Sequence, residues 1–450
     1  MGKAWWQDRP LRIYHPNTRE AEMGNLDIKR FVDGCLAINA EAVVFSAGGI
    51  FAFYPSEVPY HFVSPVIGKR DLLGEFVKEA RARGLRVIAR MDFSKARDDV
   101  NAEHPEWFMR DAEDRPDIRP KSSLRSTCPV AGYQNEAFGH KVLKEISERY
   151  GVDGFHLNAG GFHNFFCYCD ACRTSFGQLI PKDPQEDPEL WYRFLRWRVE
   201  AYAQQLASYY RVIRESNPNS FFTAELPGPE YTEWGGHGGY HLPALRDSFS
   251  QLVRTTGGMR LARSCRWWPG LTVDQIHALG KNAIVNIKFN MRDLNLTQTI
   301  MPPAEFAFNA YQAIAHGAGL KLCTFSIPEN LLDRRPLPTI AQVFGFMRRQ
   351  REVLDSSQPV IQVVLVWPER ALIKNYASGS STLGSLRGEV VGLYAAMRSR
   401  HILLGILYDE QLSSESLKAY GAVVLPTAVW LEKSEAEAFA GYVREGGRLI

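Results

Sequence analysis

The sequence predicts an α/β fold, a (β/α)8 barrel followed by a flavodoxin-like α/β unit. Short apolar runs that read as buried strands alternate with amphipathic helical segments through eight units, over about 330 residues. The same rhythm restarts after Pro359 and supplies a second, shorter set. The 450 residues exceed one ordinary domain, and 45% hydrophobic content with 23% charged residues provides for a large core. The boundaries expected are 1–350 for the barrel and 359–450 for the second unit.

Taken in order, residues 11–17 read as the first strand and 27–38 as a helix with Ile28, Phe31, Val32 and Cys35 on one face. Residues 41–47 form a second buried strand, released by Gly48 and Gly49. The aromatic loop that follows lies where a barrel keeps its active face, so Tyr54, Tyr60 and His61 are candidates for substrate contact. Residues 71–83 make an amphipathic helix ended by Gly84, and 85–92 a third strand finishing on Arg90 and Asp92. A long irregular segment, 93–134, carries Cys128, and loops of that length are usually functional. A helix over 136–150 leads into the fourth strand at 152–157, which Asn158, Ala159, Gly160 and Gly161 release into a loop. A long helix at 188–216 precedes the fifth strand, 221–225, stopped by Leu226, Pro227 and Gly228. The sixth, seventh and eighth strands are expected near 251–254, 283–289 and 320–326, with a helix over 303–318 between the last two.

The second unit reads as strand 361–367, helix 389–399, strands 403–408 and 422–426, and a helix through Ala436, Phe439 and Val443. It lacks a glycine fingerprint for nucleotide phosphates, which favours an assembly or structural role over a cofactor domain. It stops on what reads as an opening strand, Gly447 to Ile450, so a natural chain is expected to continue further.

A net charge of +3 without a Lys/Arg block argues against nucleic acid or an anionic membrane as partner. Nor does any stretch approach 18 consecutive apolar residues; with no signal-like run at the start, a cytoplasmic protein is expected. A carbohydrate partner suits this neutrality and the 12% aromatic content, although core packing accounts for many of the rings equally well.

Cys167, Cys169 and Cys172 form a C-x-C-x2-C run, three soft ligands from one short loop. A closed tetrahedral zinc site needs a fourth, and Cys128 is the obvious donor. Four thiolates leave no open position for water, so the metal would be structural. A reactive thiol and unliganded reduced cysteines are the alternatives, and an odd total of seven argues against a disulfide framework. Cys35, Cys265 and Cys323 sit singly in or beside apolar sequence and read as core.

The segments ARMDFSKA (89–96), HPEWF (104–108), TCPVAGYQNE (127–136), DGFHLN (153–158) and CYCDAC (167–172) together resemble glycoside hydrolases allied to the family 42 β-galactosidases. The resemblance extends to hypothetical glycosyl hydrolase families with a β-galactosidase trimerisation domain. It implies zinc at Cys128, Cys167, Cys169 and Cys172, a sugar substrate, and assembly as a homo-oligomer, most plausibly a trimer. One departure matters: family 42 enzymes place an Asn-Glu pair at the end of the fourth strand, whereas Asn158 is followed by Ala159. The family's acid/base assignment therefore does not transfer.

Glycoside hydrolysis still requires two carboxylates at strand ends, and Glu225 and Asp92 are the candidates by position. Each has a plainer reading, Asp92 as a partner of Arg90 or Lys95 and Glu225 as an orienting group for an Arg or Tyr. Asp293 and Glu230 are further carboxylates in reach of the same chemistry. His156 and Asn158 share one face of the fourth strand and, with Arg90, Tyr54, His61 and Trp267, make up the expected sugar contacts. A barrel that binds sugar without hydrolysing it and an enzyme with zinc in its pocket are the rival readings.

Overall fold

Inward-facing residues in eight strands change from apolar to polar partway along, and that change positions everything at the mouth of the barrel. The structure, a computed structural model, describes residues 3–116, 123–158, 161–162, 166–183, 185–228, 240–256, 266–289, 300–377, 383–426 and 430–450. The strands are β1 (Arg12–Pro16), β2 (Ala42–Gly49), β3 (Arg86–Asp92), β4 (Gly154–Leu157), β5 (Phe221–Pro227), β6 (Leu252–Thr256), β7 (Ala283–Lys288) and β8 (Gly319–Thr324). All pair in parallel, and β8 returns to β1 to close the barrel. Ile13, Val44, Ile88, Phe221, Val253 and Ile284 fill the lower interior, with Trp6 and Leu11 in the same cluster. Because side chains alternate along a strand, the next inward positions fall two residues on. These are His15, Ser46, Arg90, His156, Thr223, Thr255, Asn286 and Lys321. The core thus turns polar where a barrel's active face begins.

Helices α1 (Ile28–Ala37), α2 (Leu72–Ala82), α3 (Gly139–Tyr150), α4 (Pro188–Ser216), α5 (Trp268–His277), α6 (Pro303–Ala315) and α7 (Pro336–Arg349) accompany the strands. Asp27 and Asp71 cap α1 and α2 by accepting from Arg30 N and Gly74 N, and Asp187 does the same for α4 at Leu190 N. Helix α5 opens on Trp268, Pro269 and Gly270. Proline is tolerated in a first helical turn, where its missing N–H has no partner to lose, and α5 uses it there. Within the segment expected to be irregular, a short antiparallel ribbon pairs Lys95–Arg97 with Leu124–Ser126.

A second, parallel sheet holds β9 (Val363–Trp367), β10 (Leu404–Tyr408), β11 (Ala422–Val424) and β12 (Arg448–Leu449) in the order β10-β9-β11-β12. Its helices include α8 (Glu369–Ala377), α9 (Leu383–Ser399) and α10 (Lys433–Arg444). It meets the barrel through a buried polar knot centred on Asp274 of α5. That carboxylate takes His316 Nδ1 at 2.8 Å, the Tyr394 hydroxyl at 2.6 Å and an Arg398 N–H. Nearby, Arg196 of α4 pairs with Glu410 at 2.7 Å. Among the described residues no helix is long and apolar enough to cross a membrane.

Candidate active site

Glu225, on β5, reaches the barrel mouth with 15% of its side chain exposed and both oxygens engaged by lysine. Oε1 lies 2.5 Å from Lys288 Nζ, and Oε2 lies 3.3 Å from Lys321 Nζ. Thr255 adds a hydroxyl at 3.2 Å from Oε1 and itself accepts from Asn286 Nδ2 at 2.8 Å. Burial alone would raise this carboxyl's pKa, but Lys288 and Lys321 outweigh it and hold the group well below the usual carboxylate range. Glu225 is therefore an anion, stabilised by two cations on neighbouring strands.

Lys321 has no exposed side-chain surface, and burial lowers its pKa against the pull of Glu225. It bonds His156 Nε2 at 2.7 Å and His15 Nδ1 at 3.2 Å, two rings whose centres lie 5.3 Å apart. Burial and the adjacent ammonium push both imidazoles well below their ordinary value, so they are neutral. His156, expected to contact sugar, has no exposed surface and bonds Lys321 instead.

Asp92 ends β3 beside this group. Its Oδ1 accepts from Ser94 N at 3.1 Å and Ser94 Oγ at 2.6 Å, and its Oδ2 accepts from Asn158 Nδ2 at 2.6 Å. Arg90 Nη2 stands 3.9 Å from Oδ2, a loose pairing. Close approach of β2 fixes this strand end: a Cβ on Gly49, at φ +111°, would fall 2.2 Å from Asp92 O. Asp92, Asn158 and Arg90 are therefore brought together at the ends of β3 and β4. Ala159, Glu230, Asp293 and Cys265 lie outside the described residues.

Tyr54 and His61 depart from the expectation of substrate contact. Tyr54 is fully buried and donates to Glu145 Oε2 at 2.6 Å. His61 is buried too; its Nε2 accepts from Gly49 N at 3.0 Å, and burial brings its pKa to about 4. Glu145 of α3 also accepts from Ser56 Oγ and Glu57 N, each at 2.7 Å. These residues fasten the aromatic loop to α3 and β2 from beneath, and no face is left for a sugar. Tyr60 is half-buried and bonds Glu103 at 2.8 Å. Trp267 caps α5, half-buried against the core, while Trp268 is buried, which favours packing over a stacking platform.

The four predicted thiols meet. Sγ atoms of Cys128, Cys167, Cys169 and Cys172 all lie within 4.8 Å of one another, buried. Cys128 is 3.4 Å from Cys172 and 3.6 Å from Cys169. Four sulfurs about 2.3 Å from one zinc would stand about 3.8 Å apart, so the donor set fits that metal. The cluster joins the loop after β3 to the loop after β4, as does Tyr168 N to Arg110 O at 2.8 Å, while Cys128 N to Trp107 O at 2.9 Å ties the first of these loops to itself.

Lys321, Lys288 and His15 were missed as site residues. Their signal was present: Lys321 is a charge between Leu320 and Leu322 in an otherwise apolar strand, and Lys288 ends the strand before it. A lysine inside a buried strand needs a partner, and Glu225 is the anion in reach.

With this geometry in place, comparison with known proteins locates the chain. Residues 27–159 match the model of the family described as hypothetical glycosyl hydrolase 6. That span includes Asp92, Cys128 and Asn158, and stops short of Glu225 and both lysines. No curated protein matches the chain. Among solved structures, a β-galactosidase from Rahnella sp. R3 superposes with a TM-score of 0.77 at 15% identity, over 98% of this chain and 70% of that one. A GH42 β-galactosidase from G. stearothermophilus gives 0.74 at 14%, over 97% and 71%. An α-L-fucosidase isoenzyme from Paenibacillus thiaminolyticus gives 0.74 at 18%, and this chain spans 98% of itself but 63% of that protein. At these identities the likeness establishes a shared fold, a barrel with a following α/β unit.

The reassignment of Tyr54 yields a direct expectation. Tyr54→Phe removes a hydrogen bond to a charged acceptor, so urea unfolding should show a loss of about 1.5–3 kcal/mol. Sugar affinity measured by calorimetry should stay within about twofold of the parent, since the hydroxyl faces Glu145 and not the mouth. An affinity loss without a stability loss would return Tyr54 to the binding site.

Proposed function

We propose that the chain is a glycoside hydrolase whose reaction centre is the barrel mouth around Glu225. The observation that carries this reading is the carboxylate itself, held ionised by Lys288 and Lys321 at the end of β5. A glycosidic bond is broken between one group that supplies a proton to the leaving oxygen and one ionised carboxylate that attacks the sugar or activates water. Glu225 suits the ionised part, because protonating it would strand the wholly buried Lys321 without its counter-charge. Asp92 is the second carboxylate, hydrogen-bonded by the neutral donors Ser94 and Asn158. Asn158 and Arg90 are then placed to meet sugar hydroxyls.

A sugar-binding barrel without turnover is the second reading. It is favoured by one fact, that the oxygens of both carboxylates are already occupied by protein donors.

The thiol cluster is proposed as a structural zinc centre held by Cys128, Cys167, Cys169 and Cys172, with no position left for substrate. Residues 359–450 are proposed as the assembly unit of an oligomer, with the barrel in 1–350. The PgaB (BpsB) glycoside hydrolase domain from Bordetella bronchiseptica supports that division: at a TM-score of 0.58 it covers 74% of this chain while 99% of its own length is matched.

Three outcomes follow. On a panel of aryl glycosides, Glu225→Gln should turn over at least about a hundredfold more slowly than the parent. Near-parental turnover in that variant would shift the reaction to other carboxylates, and sugar binding with no turnover in the parent would favour the second reading. Metal analysis of protein purified under reducing conditions should find about one zinc per chain, and Cys169→Ser should lose it. Light scattering at micromolar concentration should give a mass near three chains; a monomer would remove the assembly role.

A further inference from the structure

In the helical layer around the barrel, a cavity of about 520 Å³ opens between α2 and α3. That volume falls among those of small-molecule sites, about 300–1,000 Å³. Val77, Ala82 and the Tyr150 ring give it an apolar lining, and Gly74 adds no side chain to fill it. The ring is fixed in place, since its hydroxyl donates to Asp71 Oδ2 at 3.0 Å and the Arg149 guanidinium lies 5.5 Å from its centre. The charged lining is wholly cationic: Lys78, Arg81 and Arg149.

The carboxylates of these two helices are committed elsewhere. Glu75 pairs with Arg70 at 2.5 Å, Glu79 stands 3.7 Å from Arg83, and Glu148 stands 3.8 Å from Lys144. Asp71 accepts from Gly74 N as well as from Tyr150. Arg149 is matched by Glu145 at 3.2 Å, and Glu57 is close enough to add to the attraction. Lys78 and Arg81 have no such match, for among the described residues neither forms an ion pair. They are exposed, and three residues apart on one helix they share a face, where like charges repel. Arg81 is nonetheless anchored: its Nη2 donates to Gly151 O at 2.8 Å and Tyr150 O at 3.4 Å, carbonyls at the end of α3. Its Nε–H and Nη1–H remain for another acceptor, on a planar group already held at the cavity wall. An anion there would be met by charge-assisted bonds at a reduced cost in ordering.

We propose that the groove between α2 and α3 binds a phosphate monoester, its head held by Lys78 and Arg81 and its ring laid against Val77, Ala82 and Tyr150. Two cations without counter-ions call for a dianion, and a tetrahedral head offers oxygens to both. The apolar wall calls for a body beyond the head. That body has two sources with the same head, a sugar phosphate or a nucleoside monophosphate. No bond forms or breaks. The groove shares no residue with the mouth around Glu225, so the inference goes beyond the hydrolase reading and does not rest on it.

The test is calorimetry on the full chain at low salt, with glucose 6-phosphate, adenosine monophosphate and inorganic phosphate as probes. It reads no turnover, so its failure leaves the hydrolase reading where it stands. At least one ester should bind at least about tenfold tighter than inorganic phosphate, and which ester does so names the source. Lys78→Met and Arg81→Met should each weaken that binding at least about tenfold. Lys78 has no partner to lose, so Lys78→Met should keep the parental melting temperature. Should Arg81→Met fail to fold for want of its tie to α3, Lys78→Met alone decides. Ester binding unchanged in a folded variant would put the ligand elsewhere and overturn the proposal, as would equal binding of inorganic phosphate or no binding of either ester.

Discussion

The ion pair between Lys321 and Glu225 is the constraint from which the rest of the mouth follows. A lysine with no exposed surface survives inside a protein only if its charge is matched and its donors are used. Glu225 supplies the charge, and His156 and His15 supply the acceptors. Each assignment then propagates. The carboxylate is fixed as an anion and both imidazoles are fixed as neutral. The pairing also links stability to pH. Glu225's folded pKa lies below its ordinary value of 4.5, so its contribution is fully present above 4.5 and is lost as pH falls through the folded value.

Around this centre the loops are pinned by devices of a different kind. Glu145 gathers Tyr54, Ser56 and the Glu57 N–H to hold the loop after β2. The four thiols gather the loops after β3 and β4. Neither device touches Glu225. The division makes chemical sense, because loops that frame a reaction centre need rigidity, while the centre itself needs groups whose charge state is set by their neighbours.

The barrel was legible because strand and helix periodicities are local, and local patterns survive in sequence. The thiol cluster was legible for the same reason: three of its members lie within six residues, and one further cysteine was near enough in the chain to complete it. Asp92 and Glu225 could be named because prolines, glycines and strand ends mark the mouth. What sequence hid was pairing across the barrel. Lys321 and His156 are 165 residues apart, and Lys321 and His15 are 306 apart, yet they share one ammonium. Tyr54 and His61 misled for a related reason. An aromatic loop after a strand looks like a binding loop, and only the position of Glu145, ninety-one residues beyond Tyr54, shows that the hydroxyl is spent inward.

The account depends most on the charge state of one carboxyl group, and that can be measured directly. Carbon-13 labelling of the glutamate side-chain carboxyls, with Glu225→Gln to assign the resonance, allows Glu225 to be titrated in the folded protein. The lysine pairing predicts a resonance that keeps its ionised position as pH is lowered through 4.5, while exposed glutamates titrate around it. A Glu225 resonance that titrates at or above 4.5 would mean that burial outweighs Lys288 and Lys321, and would contradict the account of the site.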